Sequence, residues 1–214
     1  GNSMSWRRYR KYQKDEFIVV ACDTSAGGGD YSCGQFLSKT NLDVPVVYHS
    51  QITATEMTPK IAQELENIYK ETGVKPVVAY ETNNGGVFEL ERLATLNRNG
   101  YWKMYEQKTL GTTDGISNTG KYGFNTNSAT RPAMLQLLKE AIDNQLIRIY
   151  DKPTINEMFS FIIRPNGRPE AEVSAHDDLV MALAIAWQMY QTENPPVVQK
   201  YVQQYQPTNF MAGF

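Results

Sequence analysis

Residues 17–22 read Phe-Ile-Val-Val-Ala-Cys and run directly into Asp23-Thr24-Ser25-Ala26-Gly27-Gly28-Gly29-Asp30. A continuous apolar run rich in β-branched residues, with no alternation, is the pattern of a strand buried on both faces. The glycine cluster that stops it is a turn, and it leaves an acid, Asp23, at the carboxyl end of the strand. A second run of the same kind, Pro76-Val77-Val78-Ala79-Tyr80, also ends in an acid, Glu81. In open α/β sheets, sites form beyond the carboxyl ends of the strands.

Outward from these two strands the pattern alternates. Residues 33–38 and 44–52 read as further strands separated by the turn-like Asn41-Leu42-Asp43, so three strands can form an antiparallel meander. Thr58-Pro59 predicts a helix start, with Ile61, Leu65, Ile68 and Tyr69 as the apolar stripe and Gly73 as the stop. Val87, Leu90, Leu93 and Leu96 predict a helix over 86–98, and 101–107 is another strand candidate. Residues 108–128 are Gly/Thr/Asn-rich without a period and read as a long loop or a hairpin; such loops are usually functional. Thr130-Arg131-Pro132 opens a helix carrying Met134, Leu135, Leu138 and Ile142. A short strand at 147–150, a helix around 154–163 and a last helix from 176 to 191 with Leu179, Leu183, Ala186, Trp187 and Tyr190 complete the order. The expected fold is α/β: a mixed sheet, antiparallel meander plus parallel strands, with helices on both faces.

A chain of 214 residues fits one domain. No apolar run approaches the length that crosses a bilayer, no signal peptide opens the chain, and Cys22 and Cys33 make neither a disulfide framework nor a zinc spacing. With 21 basic and 23 acidic residues, the composition does not announce nucleic acid. The charge is uneven, however: residues 1–14 hold Arg7, Arg8, Arg10, Lys11 and Lys14 and no acid, which leaves the remainder acidic. Gly1-Asn2-Ser3 resembles a tag scar, and 1–14 is expected to be a solvated linker, with a nucleic-acid or partner contact as the alternative. The expected folded domain is 15–192, and 193–214, without periodicity, reads as a tail.

Asp23, Glu81 and the pair Asp177-Asp178 at the start of the last helix are the candidate site. Carboxylates gathered in one cleft repel unless cations bind, and oxygen-only clusters suit Mg²⁺ or Mn²⁺. Two such ions about 4 Å apart can activate water and stabilise the leaving oxygen of a phosphodiester. Each acid also has an ordinary reading: Asp23 as a turn former, Glu81 as a cap, and Ser174-x-x-Asp177 as a capping box. Gly115-x-x-x-x-Gly120-Lys121-Tyr122 nearly matches a phosphate-binding loop but has Tyr122 where Ser or Thr would hold Mg²⁺. The 23–30 stretch could also belong to a sugar-kinase or actin-like ATPase half, for whose second half there is little room.

Four blocks together carry a family resemblance: Asp23-Thr24-Ser25-x-Gly27-x-Gly29-Asp30-Tyr31-Ser32; Tyr80-Glu81-x-Asn83-x-Gly85; Lys121-x-Gly123 with Thr130-Arg131-Pro132-x-Met134-Leu135; and His176-Asp177-Asp178-Leu179-Val180-Met181-Ala182. The set resembles the C-terminal nuclease domain of the large terminase subunit of tailed bacteriophages, over about 17–190 and in the family's order. The resemblance implies an RNase H-like fold and an endonuclease that cuts double-stranded DNA during genome packaging with two divalent cations, Mg²⁺ or Mn²⁺. It implies Asp23 as the bridging ligand, Glu81 as the second carboxylate and one of Asp177/Asp178 as the third. Lys121, Arg131 and His176 become DNA contacts; Asn83 either joins them or holds the loop that aims Glu81. His176 has packing at the helix start as its plain alternative. The implied setting is the host cytoplasm, with an N-terminal ATPase motor, a portal and procapsid, and a small terminase subunit as partners. No Walker motif is present, so an excised nuclease domain is expected. A Holliday-junction resolvase or transposase-like nuclease, and a non-catalytic DNA or motor docking module, are the alternatives.

Overall fold

The computed structural model describes residues 5–24, 31–83, 85–111, 115–162 and 176–196, the side chains of 108–121 excepted. The chain runs β1 (Trp6–Arg8), β2 (Ile18–Asp23), β3 (Ser32–Ser38), β4 (Asp43–Ser50), α1 (Ala54–Thr72), β5 (Val77–Tyr80), α2 (Gly86–Leu96), β6 (Lys103–Met104), β7 (Glu106–Gly111), β8 (Gly115–Tyr122), α3 (Thr130–Asp143), α4 (Lys152–Phe161) and α5 (Asp178–Thr192). Six strands form one sheet in the order β1-β4-β3-β2-β5-β6. β2, β3 and β4 make the expected antiparallel meander, while β5 runs parallel to β2 and β6 parallel to β5.

Every residue of β2 is buried, as its unbroken apolar run requires. Its two faces feed two cores. Val19 and Ala21 pack with the helices α3, α4 and α5, whereas Ile18, Val20 and Cys22 pack with α1 and α2. α5 is buried almost all round, from Leu179 to Trp187, because it lies directly on the sheet between α3 and α4. Among the described residues no helix is long and apolar enough to cross a membrane.

Three local expectations are corrected and one open reading is decided. α1 begins at Ala54 under a Thr53 cap rather than at Thr58-Pro59, so Pro59 lies inside the helix. Proline there frees the carbonyl four residues back. That carbonyl, Thr55 O, accepts a 3.0 Å hydrogen bond from Arg92 Nη1 on α2, which compensates the loss. Residues 147–150 form no strand; only Arg148 bridges Asp43. Of the two readings of 108–128, the hairpin is the one formed: β7 and β8 pair antiparallel from Glu106 to Tyr122.

The third correction concerns the basic arm, which is not a solvated linker. Trp6, Arg7 and Arg8 pair with Tyr48, Val47 and Val46 as a strand of the main sheet. Arg7 bonds Asp151 at 2.6 and 3.0 Å, Arg8 holds Glu64 at 2.6 and 2.7 Å, and Arg10 bridges Glu16 and Asp43. Tyr9 donates to Asp151 and the buried Tyr12 to Glu64. The charge of the arm's three arginines is thus met by buried acids of the domain. Burial pushes the Asp151 carboxyl up, but hydrogen bonds from Arg7, Thr154 and Tyr9 outweigh it and hold its pKa below the usual value. Arg7→Ala leaves a fully buried Asp151 side chain short of its cation. A loss on the order of 3 kcal/mol in urea unfolding is expected; a change within 0.5 kcal/mol, the usual range for surface substitutions, would show that the arm carries no stability.

Candidate active site

Asp23 is the last residue of β2, and Glu81 follows β5, its parallel neighbour. Parallel pairing aligns the two carboxyl ends, and Glu81 N donates to Cys22 O at 2.9 Å, which seats Glu81 beside Asp23. The Glu81 side chain lies within hydrogen-bonding reach of the Asp23 carboxyl. Asp23 is only 8% exposed. Burial first, then Glu81 and the charge of Asp178, drive its pKa well above the carboxylate range. A buried carboxylate facing two others is costly to ionise without a cation.

Glu81 is aimed by its own loop. Asn83 Nδ2 donates to Glu81 Oε1 at 3.0 Å and to Thr126 O at 3.2 Å, while the Thr126 hydroxyl donates to Glu81 Oε1. The stretch carrying Thr126 is anchored by a bridge between Glu81 and Phe124. Two glycines permit this closeness. At Gly86 an added Cβ would overlap the Glu81 carbonyl. At Gly123, whose φ is +89°, it would meet Leu90 Cδ1 at 2.5 Å and Thr82 Cγ2 at 2.8 Å.

The pair at the start of α5 divides. Asp178 acts electrostatically on Asp23, and its backbone carbonyl accepts from the Cys33 thiol at 3.2 Å. Cys33 in turn is the register partner of Asp23. Asp177 turns away into an ion pair with Arg131, whose side chain is 42% exposed at the start of α3. Arg131 is therefore engaged by a carboxylate. His176 is exposed and meets the Tyr31 ring edge-on at 5.8 Å, and Tyr31 lies against His49 at 4.4 Å. Lys121 has its backbone in β8, but its side chain lies outside the described residues, as does Ser174 of the expected capping box.

Two polar residues escaped the sequence pattern. Thr126 sits in an irregular stretch with no motif. Glu157, on α4, accepts backbone N–H groups of Leu179 at 3.0 Å and Val180 at 3.3 Å. Burial pushes the Glu157 carboxyl up to about 8, with the charge of Asp178 adding to it and the two N–H bonds opposing. The only clue to Glu157 is its spacing of three from Thr154 and six from Asp151, which puts all three on one helical stripe.

Among the described residues no three Asp, Glu, His or Cys side chains already surround a common point as metal ligands would. The donor set nonetheless fits a hard divalent cation: it is made of carboxylate oxygens, and the thiol beside them among the described residues, Cys33, is buried, which raises its pKa.

No family model and no curated protein sequence matches the chain. Solved structures do. The large terminase nuclease of phage G20c with bound magnesium is 16% identical with a TM-score of 0.57, covering 89% of this chain and 88% of that one. The large terminase nuclease domain of Thermus phage P74-26 is also 16% identical, with a TM-score of 0.60 over 89% and 88%. The terminase nuclease domain of human cytomegalovirus, soaked in manganese with inhibitor bound, is 11% identical with a TM-score of 0.55 over 83% and 84%. At such identities the likeness establishes the architecture: this chain is folded as an RNase H-like domain of the kind found in large terminase nucleases.

Proposed function

We propose that the protein is a metal-dependent endonuclease that cuts double-stranded DNA in viral genome packaging. What supports this is the pairing of Asp23 and Glu81 at the carboxyl ends of β2 and β5, with the charge of Asp178 at the start of α5 acting on Asp23, in a fold shared with terminase nucleases. Solved relatives hold magnesium, zinc or cobalt, which supports divalent cations here. Asp23, Glu81 and Asp178 would hold the cation pair, with Asp177 assisting at the rim. When bound, such ions supply Lewis-acid stabilisation of charge on the phosphate oxygens and ease ionisation of water.

The chain's own residues do the rest. Asp23 faces inward from β2, every residue of which is buried. Asn83 and Thr126 keep the Glu81 carboxylate turned toward Asp23. Arg131 holds Asp177 at the mouth, where its exposed edge can meet a DNA phosphate, and Lys121 and His176 are assigned to the same backbone contacts. The acidic body gives little non-specific DNA affinity, so engagement depends on these few groups. The ATPase motor, portal and small terminase subunit are the partners this role implies.

Nicking of supercoiled plasmid in Mn²⁺, with linear and four-way-junction DNA as competing substrates, tests this directly. Cleavage of linear duplex and plasmid is expected, and Asp178→Ala should reduce it by about a hundredfold or more. Exclusive cutting of junctions would make the protein a resolvase instead. Absence of both cutting and Mn²⁺ binding would make it a docking module.

A further inference from the structure

A helix start leaves its first N–H groups without intrahelical partners, and its N-cap side chain ordinarily satisfies one of them. α5 departs from this. Its N-cap residue is Asp177, yet that side chain makes no capping bond and pairs with Arg131 instead. The missing acceptor comes from another helix: Glu157 of α4 takes the N–H groups of Leu179 and Val180. The first turn of α5, which carries Asp178, is therefore fixed from outside.

Glu157 is itself held. Asp151, the N-cap of α4, is followed at helical spacing by Thr154 and Glu157. Arg7 and Tyr9 grip Asp151, and Asp151 accepts from the Thr154 hydroxyl at 2.6 Å. The buried Gln35 of β3 then links α4 to α5, donating to Thr154 Oγ1 at 3.0 Å and to Leu179 O at 3.2 Å. Leu179 is thus bound at both its N–H and its carbonyl by groups other than its own helix. One residue before it stands Asp178.

From this we infer that Glu157 is a positioning residue: a cap supplied in trans that sets the direction of Asp178 toward Asp23 and leaves Asp177 free for Arg131. The inference rests on the proposed metal site and adds a residue to it. Glu157 touches no substrate; it acts through the backbone of residues 179 and 180.

The test compares wild type, Glu157→Ala and Glu157→Gln by calorimetric titration with Mn²⁺ and by amide exchange at Leu179 and Val180, with thermal unfolding as the folding control. Alanine removes the acceptor, and a loss of Mn²⁺ affinity of about 10- to 100-fold is expected, as for other groups that orient a ligand. Exchange at both amides should accelerate together with it. Glutamine keeps an acceptor oxygen, so Glu157→Gln should return affinity and exchange most of the way to wild type. If Glu157→Ala binds Mn²⁺ as wild type does, or Glu157→Gln is as impaired as alanine, the positioning role is wrong while the metal site stands. If wild type binds no Mn²⁺, the proposed function falls and the inference falls with it.

Discussion

Asp23→Asn is expected to remove DNA cleavage and, in the absence of metal, to make the protein more stable. The first effect follows from position: Asp23 faces both Glu81 and Asp178. Losing its charge removes several kcal/mol of stabilisation at a phosphodiester undergoing hydrolysis, or about a thousandfold or more in rate. The second effect follows from the sign of its pKa. Burial and two neighbouring carboxylates raise the folded value well above the usual one. The folded state therefore binds more protons than the unfolded chain wherever pH lies between the two values, and stability falls as pH rises through that window. Below the unfolded value, near pH 4, the penalty is absent. Asparagine carries no such penalty, so its melting temperature should exceed that of metal-free wild type at pH 8 and equal it near pH 4. Each kcal/mol of relief corresponds to roughly 2–4 °C for a chain of this size. Mn²⁺ should raise the melting temperature of wild type and leave Asp23→Asn unmoved. Undiminished plasmid nicking by Asp23→Asn would remove Asp23 from the site; a lower metal-free melting temperature at pH 8 would contradict the electrostatic account.

Gly86→Ala is the second large effect, and it involves no charge. A Cβ at Gly86 cannot coexist with the Glu81 carbonyl, because the contact is to backbone and no side chain can swing aside. Either α2 shifts at its first turn or the 81–85 loop moves. That loop is tied by Glu81 N to Cys22 O, Thr82 N to Phe124 O and Gly86 N to Asn83 O, so movement carries Glu81 away from Asp23. Overpacking of this kind costs about 1–3 kcal/mol. A displacement of about 1 Å at a reacting group costs on the order of a hundredfold in rate. Cleavage should fall much further than stability, and Mn²⁺ affinity should fall with it. A variant with full activity and a normal melting temperature would mean that the loop has slack that this packing denies it.

Much of this is legible in one sequence, and the legible part shares a cause. β2 and β5 announce themselves because burial on both faces demands an unbroken apolar run, and the acids that end them stand out against it. What is not legible depends on distant partners. Thr58-Pro59 reads as a helix start by local rules, yet Arg92, far along the chain, makes an internal proline tolerable. The arm reads as solvated because nothing nearby in sequence neutralises Arg7, Arg8 and Arg10; Asp151, Glu64 and Asp43 do so across the fold. At the site, carboxylates are visible as chemistry. Their supports, Thr126, Gln35 and Glu157, are single polar residues with no motif. The different surroundings of Asp177 and Asp178 likewise depend on Arg131, which pairs with Asp177.

β1 is three residues long and carries two arginines, and it lies at the rim of the sheet against the eight residues of β4. Without it, β4 would present a long apolar ladder of unpaired N–H and C=O groups, the template on which sheets join edge to edge. A strand this short and this cationic is a poor template for another chain, and its arginines are fastened to Asp151, the N-cap of α4, and to Glu64 of α1. β1 thus guards the edge of β4 against self-association, and disrupting it is expected to show first as precipitation during refolding.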